Sequence, residues 1–161
     1  MKNPPRGLQA TLWRAPIALY KLGLGWVFGQ RFMLLTHTGR KSGLPRQAVI
    51  EVVHHDPDSD TWYAASGFGE KSHWFQNITA NPNVTIQIGT RRLPAVAERL
   101  PHPEAEAILH RYAQTHPTAL RELSRIVGLD YDGSEASLRH LAEMLPVIAF
   151  RSNVQDADEH R

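Results

Sequence analysis

The sequence contains no cysteine. That excludes disulfides, thiolate metal sites and cysteine nucleophiles, and it fits a reducing, cytoplasmic compartment. Acidic residues are missing from the N-terminal third. All sixteen Asp and Glu stand at or after Glu51, whereas eight of the eighteen Lys and Arg precede it. Such asymmetry points to an anionic partner at the N-terminal end: a phosphorylated ligand, a lipid surface or nucleic acid. A bilayer-spanning run is also absent, because Arg14 and Lys21 interrupt the apolar stretch at 8–28. That stretch equally lacks the uninterrupted core and small-residue cleavage site of a secretory signal.

Several chemistries lack their motifs. The nine histidines form no His-Glu-x-x-His pairing. His54 and His55, adjacent on a strand, point to opposite faces and cannot share an ion, so no metal site is expected. Neither a Gly-x-Ser-x-Gly elbow nor a Ser-x-x-Lys pair supports serine hydrolysis. A phosphate-binding Walker loop and the Gly-x-Gly-x-x-Gly dinucleotide fingerprint are both missing. No recognised nucleic-acid module occurs either, which leaves a nucleic-acid partner unsupported.

What is present is a chain of 161 residues, most simply one domain with a real core. Apolar alternation predicts strands over 31–37, 47–55, 61–66, 84–88, 91–100 and 146–151. Pro94 places the fifth of these near an edge. Asp56-Pro-Asp-Ser-Asp60 is a turn signal, and turns this short make the meander antiparallel. Helices are expected at 73–80, with Ser72 as cap, and at 103–115, 117–127 and 135–144. The class is therefore α+β, with a sheet long enough to curl into a small barrel.

The domain plan has a lead-in at 1–7, an amphipathic helix at 8–30, a barrel at 31–151 with a helical insert at about 103–144, and a tail at 152–161. The first helix gathers Leu12, Ile17, Tyr20, Leu24 and Val27 on one face. It either packs on the barrel or lies at a lipid boundary, with Trp13, Trp26, Arg14 and Lys21 at headgroup level.

Two segments carry chemistry. The turn at 36–46, Thr-His-Thr-Gly-Arg-Lys-Ser-Gly-Leu-Pro-Arg, sets Arg40, Lys41 and Arg46 between two strands. Its glycines let backbone amides approach an anion that the cations neutralise. A solvated basic turn has the same composition. The second segment runs from Ala64-Ala-Ser-Gly-Phe-Gly through Trp74, Phe75 and Asn77 to Pro82. Small residues there could lie against a flat ring, with Ser66 and Asn77 as hydrogen-bonding groups. Equally, Trp74 and Phe75 could be core and Ser66 could simply start a turn.

Together the motifs Thr-x-Thr-Gly-Arg-Lys-Ser-Gly-x-Pro-Arg, Ala-Ala-Ser, Trp-Phe-x-Asn-x-x-Ala-Asn-Pro and Val-Thr-Ile-Gln-Ile-Gly resemble the deazaflavin-dependent nitroreductase family. The resemblance runs from about residue 32 to residue 89. It implies a split β-barrel of the FMN-binding type, mainly antiparallel, with an N-terminal helix and a helical insert. It also implies the coenzyme F420, an 8-hydroxy-5-deazaflavin, with FMN the less favoured alternative. By position, Arg40, Lys41, Ser42 and Arg46 would hold the coenzyme's phosphate and acidic tail. Val49 and Ile50 would face the pyrimidine-like edge of its ring through their backbone. Ser66, Gly67 and Phe68 would lie near the redox-active part, with Trp74 and Asn77 completing the wall.

The implied activity is hydride transfer from reduced F420 to a small-molecule electron acceptor, quinone-like, enone or nitro. A nitroimidazole-reducing member has tyrosine where this chain has Glu51, and its late tyrosines are not clearly reproduced here. Quinone or enone reduction is therefore the better expectation. Glu51 and Ser66 are the candidate catalytic groups, Glu51 as a proton donor or substrate contact, although a solvated strand residue would read the same. A non-catalytic or FMN-using barrel that binds a flavin-like or fatty-acyl ligand is the alternative. Split barrels often pair, so a homodimer is expected by resemblance. A peripheral contact with the inner face of the membrane is expected from the N-terminal helix.

Overall fold

The computed structural model describes residues 16–153. The lead-in at 1–7, the tail beyond 153, and Leu12, Trp13 and Arg14 of the first helix lie outside the described residues. Six strands form a closed antiparallel barrel in the order β1-β2-β3-β6-β5-β4. They are β1 (Phe32–Thr38), β2 (Pro45–Asp56), β3 (Thr61–Ala65), β4 (Asn83–Ile88), β5 (Arg91–Arg99) and β6 (Val147–Ser152). Pairing of β1 with β4 closes the ring. Helix α1 is described over residues 16–21. Helix α2 (His73–Ala80) follows β3, and α3 (His102–Thr115), α4 (Pro117–Val127) and α5 (Glu135–Met144) stand between β5 and β6.

Period-two alternation sends one set of side chains into the barrel: Met33 and Leu35, Ile50 and Val52, Trp62 and Ala64, Ile148 and Phe150 among them. Phe75 and Ile78 of α2 join the same core. A second core lies outside the barrel, where Leu109, Leu120, Leu138 and Leu141 of the insert meet Val53, Val147 and Ala149. Strand β6 is covered on both faces, which is why Val147-Ile-Ala-Phe150 reads as a continuous apolar run rather than an alternating one. Pro94 opposes Thr85 of β4 but stands one residue beyond the last β5–β6 pair, Ala95 with Ser152. Its missing N–H therefore costs no ladder bond, even though the barrel has no free edge strand.

The N-terminal segment departs from the expected continuous helix. Helix α1 stops before Gly23, whose φ of 74° is left-handed, and a 3-10 turn at Gly25–Phe28 replaces the second half. Tyr20 is buried, stacks on Phe28 and donates its hydroxyl to the Phe32 carbonyl at 3.0 Å. Leu24 and Val27, assigned to the same face, are instead exposed. Ser72 is at the α2 N-cap position, but its side chain makes no cap bond because it is engaged elsewhere.

Gly25 anchors this segment by its lack of a side chain. An added Cβ would lie 2.6 Å from Tyr20 Cδ1 and 2.7 Å from the Gly89 carbonyl oxygen. Gly25→Ala is expected to destabilise the fold by about 1–3 kcal/mol through overpacking. Thermal denaturation measures it, and an unchanged Tm would refute the docking of this segment on the β4–β5 turn.

Candidate functional site

Strand β2 is longer than the strand beside it. It pairs with β1 from Pro45 to Glu51, but its first partner on β3 is Val52, opposite Ala64. A bulge then displaces Val53 before His54 pairs with Tyr63. The Val52 N–H donates to the Arg31 carbonyl at 2.8 Å, which fixes the residues of β2 that bond to β1. In an antiparallel ladder the alternate ones, Gln47, Val49 and Glu51, turn N–H and C=O to the other edge. Among the described residues β3 ends at Ala65, beside Glu51, so Gln47 and Val49 have no β3 partner, and all three line a cleft of about 1210 Å³. Residues of α1, the 36–46 turn, the loop after β3, α2 and α4 form the rest of its wall.

The cleft gathers nearly every residue singled out from the sequence. Arg40, Lys41, Ser42, Arg46, Val49, Ile50, Glu51, Gly67, Phe68, Trp74 and Asn77 all line it. Three of the expected roles change, those of Ile50, Ser66 and Asn77. Ile50 turns its side chain into the barrel core, and by the same alternation its backbone bonds to β1. Val49 alone of that pair offers a free backbone edge. Ser66 does not line the cleft. Its hydroxyl is fully buried, donates to the Gly69 carbonyl at 2.7 Å and meets Ser72 Oγ at 2.8 Å. It shapes the loop and faces no ligand, which removes it as a catalytic group.

The cationic turn is built by its backbone. Gly39 N–H donates to Leu44 O and Gly43 N–H to Gly39 O, each at 2.8 Å. Ser42 Oγ accepts from Leu44 N at 3.2 Å and packs over Gly39, where any Cβ would lie 2.6 Å from it. None of Arg40, Lys41 or Arg46 has a carboxylate within 4.0 Å among the described residues. Arg91, Arg99 and Arg151, elsewhere on the barrel, are each paired with an acid. Three cations without a carboxylate partner on a tight turn suit an anion in both charge and shape.

Asn77 ties that turn to α2. Its Oδ1 accepts from Arg40 N at 3.1 Å and from Arg40 Nη1 at 2.9 Å. Its Nδ2 lies 3.1 Å from His37 Nδ1. Asn77 is thus a brace whose amide is already used, rather than a free hydrogen-bonding wall. His37, which sequence reading passed over, lines the cleft beside Arg46, its cross-strand neighbour. Burial, and then the charge of Arg46, push its pKa down to about 4. The signal available in the sequence was its position one strand residue before the Thr-Gly-Arg-Lys turn.

Glu51 lies at the other end of β2's free edge. It lies five residues along the strand from Arg46, about 17 Å at the usual rise. Tyr112 of α3 donates its hydroxyl to Glu51 Oε1 at 2.5 Å, and Arg31 Nε is 3.5 Å from the same oxygen. Burial, reinforced by the bond to Glu51 and its charge, raises the Tyr112 pKa well above that of a free phenol. Tyr112 therefore stays protonated and donates. It too was missed, because 61 residues separate it from its partner. Among the described residues no group of three or more His, Asp or Glu could hold a metal ion.

The profile of the F420H(2)-dependent quinone reductase family matches residues 19–123. A protein of Mycobacterium tuberculosis H37Rv, Rv3178, provisionally named an F420H(2)-dependent quinone reductase, is 33% identical over 79 residues. That alignment covers 48% of this chain and 65% of the relative, so the chain spans just under two thirds of the relative's length. Among solved structures, an F420-H2 dependent reductase, FDR-A, superposes with a TM-score of 0.53 at 24% identity, over 76% of this chain and 96% of that one. A chain described as a domain-swapped dimer gives 0.55 at 22% identity, covering 88% and 99%. These likenesses establish the split-barrel fold.

The pKa of His37 has a consequence for stability. Above pH 6.5 neither the folded nor the unfolded chain protonates it. Between 6.5 and about 4 the unfolded chain takes up the proton and the folded one does not, so stability falls with falling pH. His37→Gln cannot take up that proton. Its Tm is expected to fall less than that of wild type from pH 7 to 4.5, the difference in unfolding free energy reaching at most about 3 kcal/mol. Parallel acid profiles would contradict the placement of a neutral ring between Asn77 and Arg46.

Proposed function

Because the chain belongs to the F420H(2)-dependent quinone reductase family, we propose that it is an F420H2-dependent reductase of quinone-like or enone acceptors. One observation carries the reading. A single cleft joins three unpaired cations, an open strand edge and an apolar wall in that order along β2. The donor set suits the coenzyme. Arg40, Lys41 and Arg46 answer a phosphate and an acidic tail. The alternating N–H and C=O groups of Gln47 and Val49 answer the amide-like edge of a deazaflavin. Trp74 and the loop at Gly67 and Phe68 offer flat and close-approaching surface for its ring. The cleft volume exceeds the usual range for one small ligand, about 300–1,000 Å³, which leaves room for an acceptor beside it.

Reduced F420, when bound, supplies a hydride from C5 of its deazaflavin. The protein's part is anchoring, orientation and exclusion of water. The cationic turn fixes one end of the coenzyme, and the strand edge sets the ring's plane and direction. Ala119, Leu123 and Val127 of α4 line the cleft with apolar surface. Glu51, held in place by Tyr112 and Arg31, is the polar contact for the acceptor.

Fluorescence titration with F420 and with FMN tests the coenzyme. Lys41→Ala and Arg46→Ala are each expected to weaken F420 binding about 10- to 100-fold, the range for a lost hydrogen bond to a charged group. Unchanged affinity in both, or preferred binding of FMN, would overturn the assignment. Tight F420 binding without consumption of F420H2 in the presence of menadione would favour a carrier protein instead.

The same reading extends to a lipid surface. Leu22, Trp26 and Val27 are 72%, 63% and 58% exposed in the segment that leads into the cleft, between Lys21 and Arg31. Apolar and aromatic side chains flanked by cations suit the boundary of an anionic bilayer, where an apolar acceptor would be met. No described helix is long and apolar enough to cross a membrane, and the proposed contact is a peripheral one. Wild type is expected to co-sediment with phosphatidylglycerol-containing vesicles, and Leu22→Ser/Trp26→Ser to remain mostly in the supernatant. If wild type stays in the supernatant as well, or forms a dimer that hides Trp26 from quenchers, the lipid contact is wrong.

A further inference from the structure

We infer that His37 is a binding residue of this site: a neutral donor whose Nε2–H hydrogen-bonds the oxyanion held by Arg40, Lys41 and Arg46. The inference rests on the reading of that turn as an oxyanion site and adds a residue from outside the turn. It follows from counting hydrogen bonds. The carbonyl oxygen of Asn77 takes two donors from Arg40, at 3.1 and 2.9 Å. Rotating the amide would turn its NH2 group against both of them, so the orientation is fixed by the network. The NH2 group must then face His37 Nδ1, 3.1 Å away, and Nδ1 must be the acceptor. A neutral imidazole has one acceptor and one donor nitrogen, so the proton is on Nε2.

The place of that proton follows in the same way. His37 is only 5% exposed, yet no buried side-chain nitrogen or oxygen among the described residues lacks a partner. Among the described residues its one side-chain hydrogen bond is through Nδ1. Nε2 is therefore not sealed in the core; it opens on the cleft that His37 lines, beside Arg46. Ring protonation would set an Nδ1–H against the Asn77 NH2 and add a charge next to Arg46, which agrees with the lowered pKa. The cations supply long-range attraction that salt screens. A short neutral N–H supplies direction, and its contribution is insensitive to salt.

Two substitutions separate a ligand contact from a purely structural role. Glutamine reaches to the level of Nε2, whereas asparagine reaches only to the level of Nδ1 and can keep the bond to Asn77. His37→Asn is expected to weaken F420 binding about tenfold with an unaltered salt dependence, and His37→Gln less than about threefold. Lys41→Ala, in contrast, should flatten the salt dependence. Long-range 1H–15N spectra of wild type should show a protonated Nε2 that shifts when inorganic phosphate is added.

If His37→Asn binds as wild type does, if Gln and Asn are equally impaired, or if the ring carries its proton on Nδ1, the inference fails. A stationary Nε2 signal while the Lys41 amide responds to phosphate would also reject it and leave the anion site standing. No response anywhere along the turn would reject both.

Discussion

A closed barrel leaves no backbone edge for a ligand, because every strand is paired on both sides. Here the constraint is relaxed at one place. Strand β3 spans only Thr61–Ala65, while β2 spans Pro45–Asp56, so the first half of β2 has a partner on β1 and none on β3. The loop that begins at Ser66 ends β3 early, and the Ser66–Gly69–Ser72 bonds hold that loop folded back rather than extended. Everything proposed about the site depends on this shortfall. It leaves alternating backbone groups open to the cleft and lets α4 approach from the insert.

Asn77 is the second point of dependence. One amide connects the turn after β1, the inner face of β1 and the helix after β3. The order in which the parts occur along the chain, cationic turn first and Trp-Phe-x-Asn later, is thus explained by contact rather than by separate functions. The helix packs on the barrel core through Phe75 and Ile78 and orients the turn through Asn77. Stability and site geometry are coupled there, since a disturbance of α2 reaches Arg40 directly.

Much of this was legible in the sequence, and the failures have physical causes. The strands declared themselves through two-residue alternation around a single core, and β6 through an apolar run that a two-sided environment demands. The turn was legible because its cations and glycines are local. The N-terminal helix was misjudged because apolar content outweighed Gly23 and Gly25, of which the first breaks the helix and the second admits Tyr20. Ser66 looked like a ligand group because composition does not show which way a hydroxyl points. Tyr112 and His37 act through partners 61 and 40 residues away, and a periodic pattern carries no information about such pairs.

On the proposed reading of the turn, the absence of acids before Glu51 has a physical reason. A carboxylate placed near Arg40, Lys41 or Arg46 would form an ion pair and occupy the positions a ligand anion must take. The first acid in the chain lies about 17 Å along the strand from Arg46, roughly two Debye lengths at physiological salt. Glu51 is moreover already engaged by Tyr112 and Arg31, both from outside the turn. One strand can therefore carry a cationic end and an acidic end without either cancelling the other. On the proposed reading, the exposed geometry of β2 and the bias in composition answer one requirement: cations that stay unpaired for a ligand.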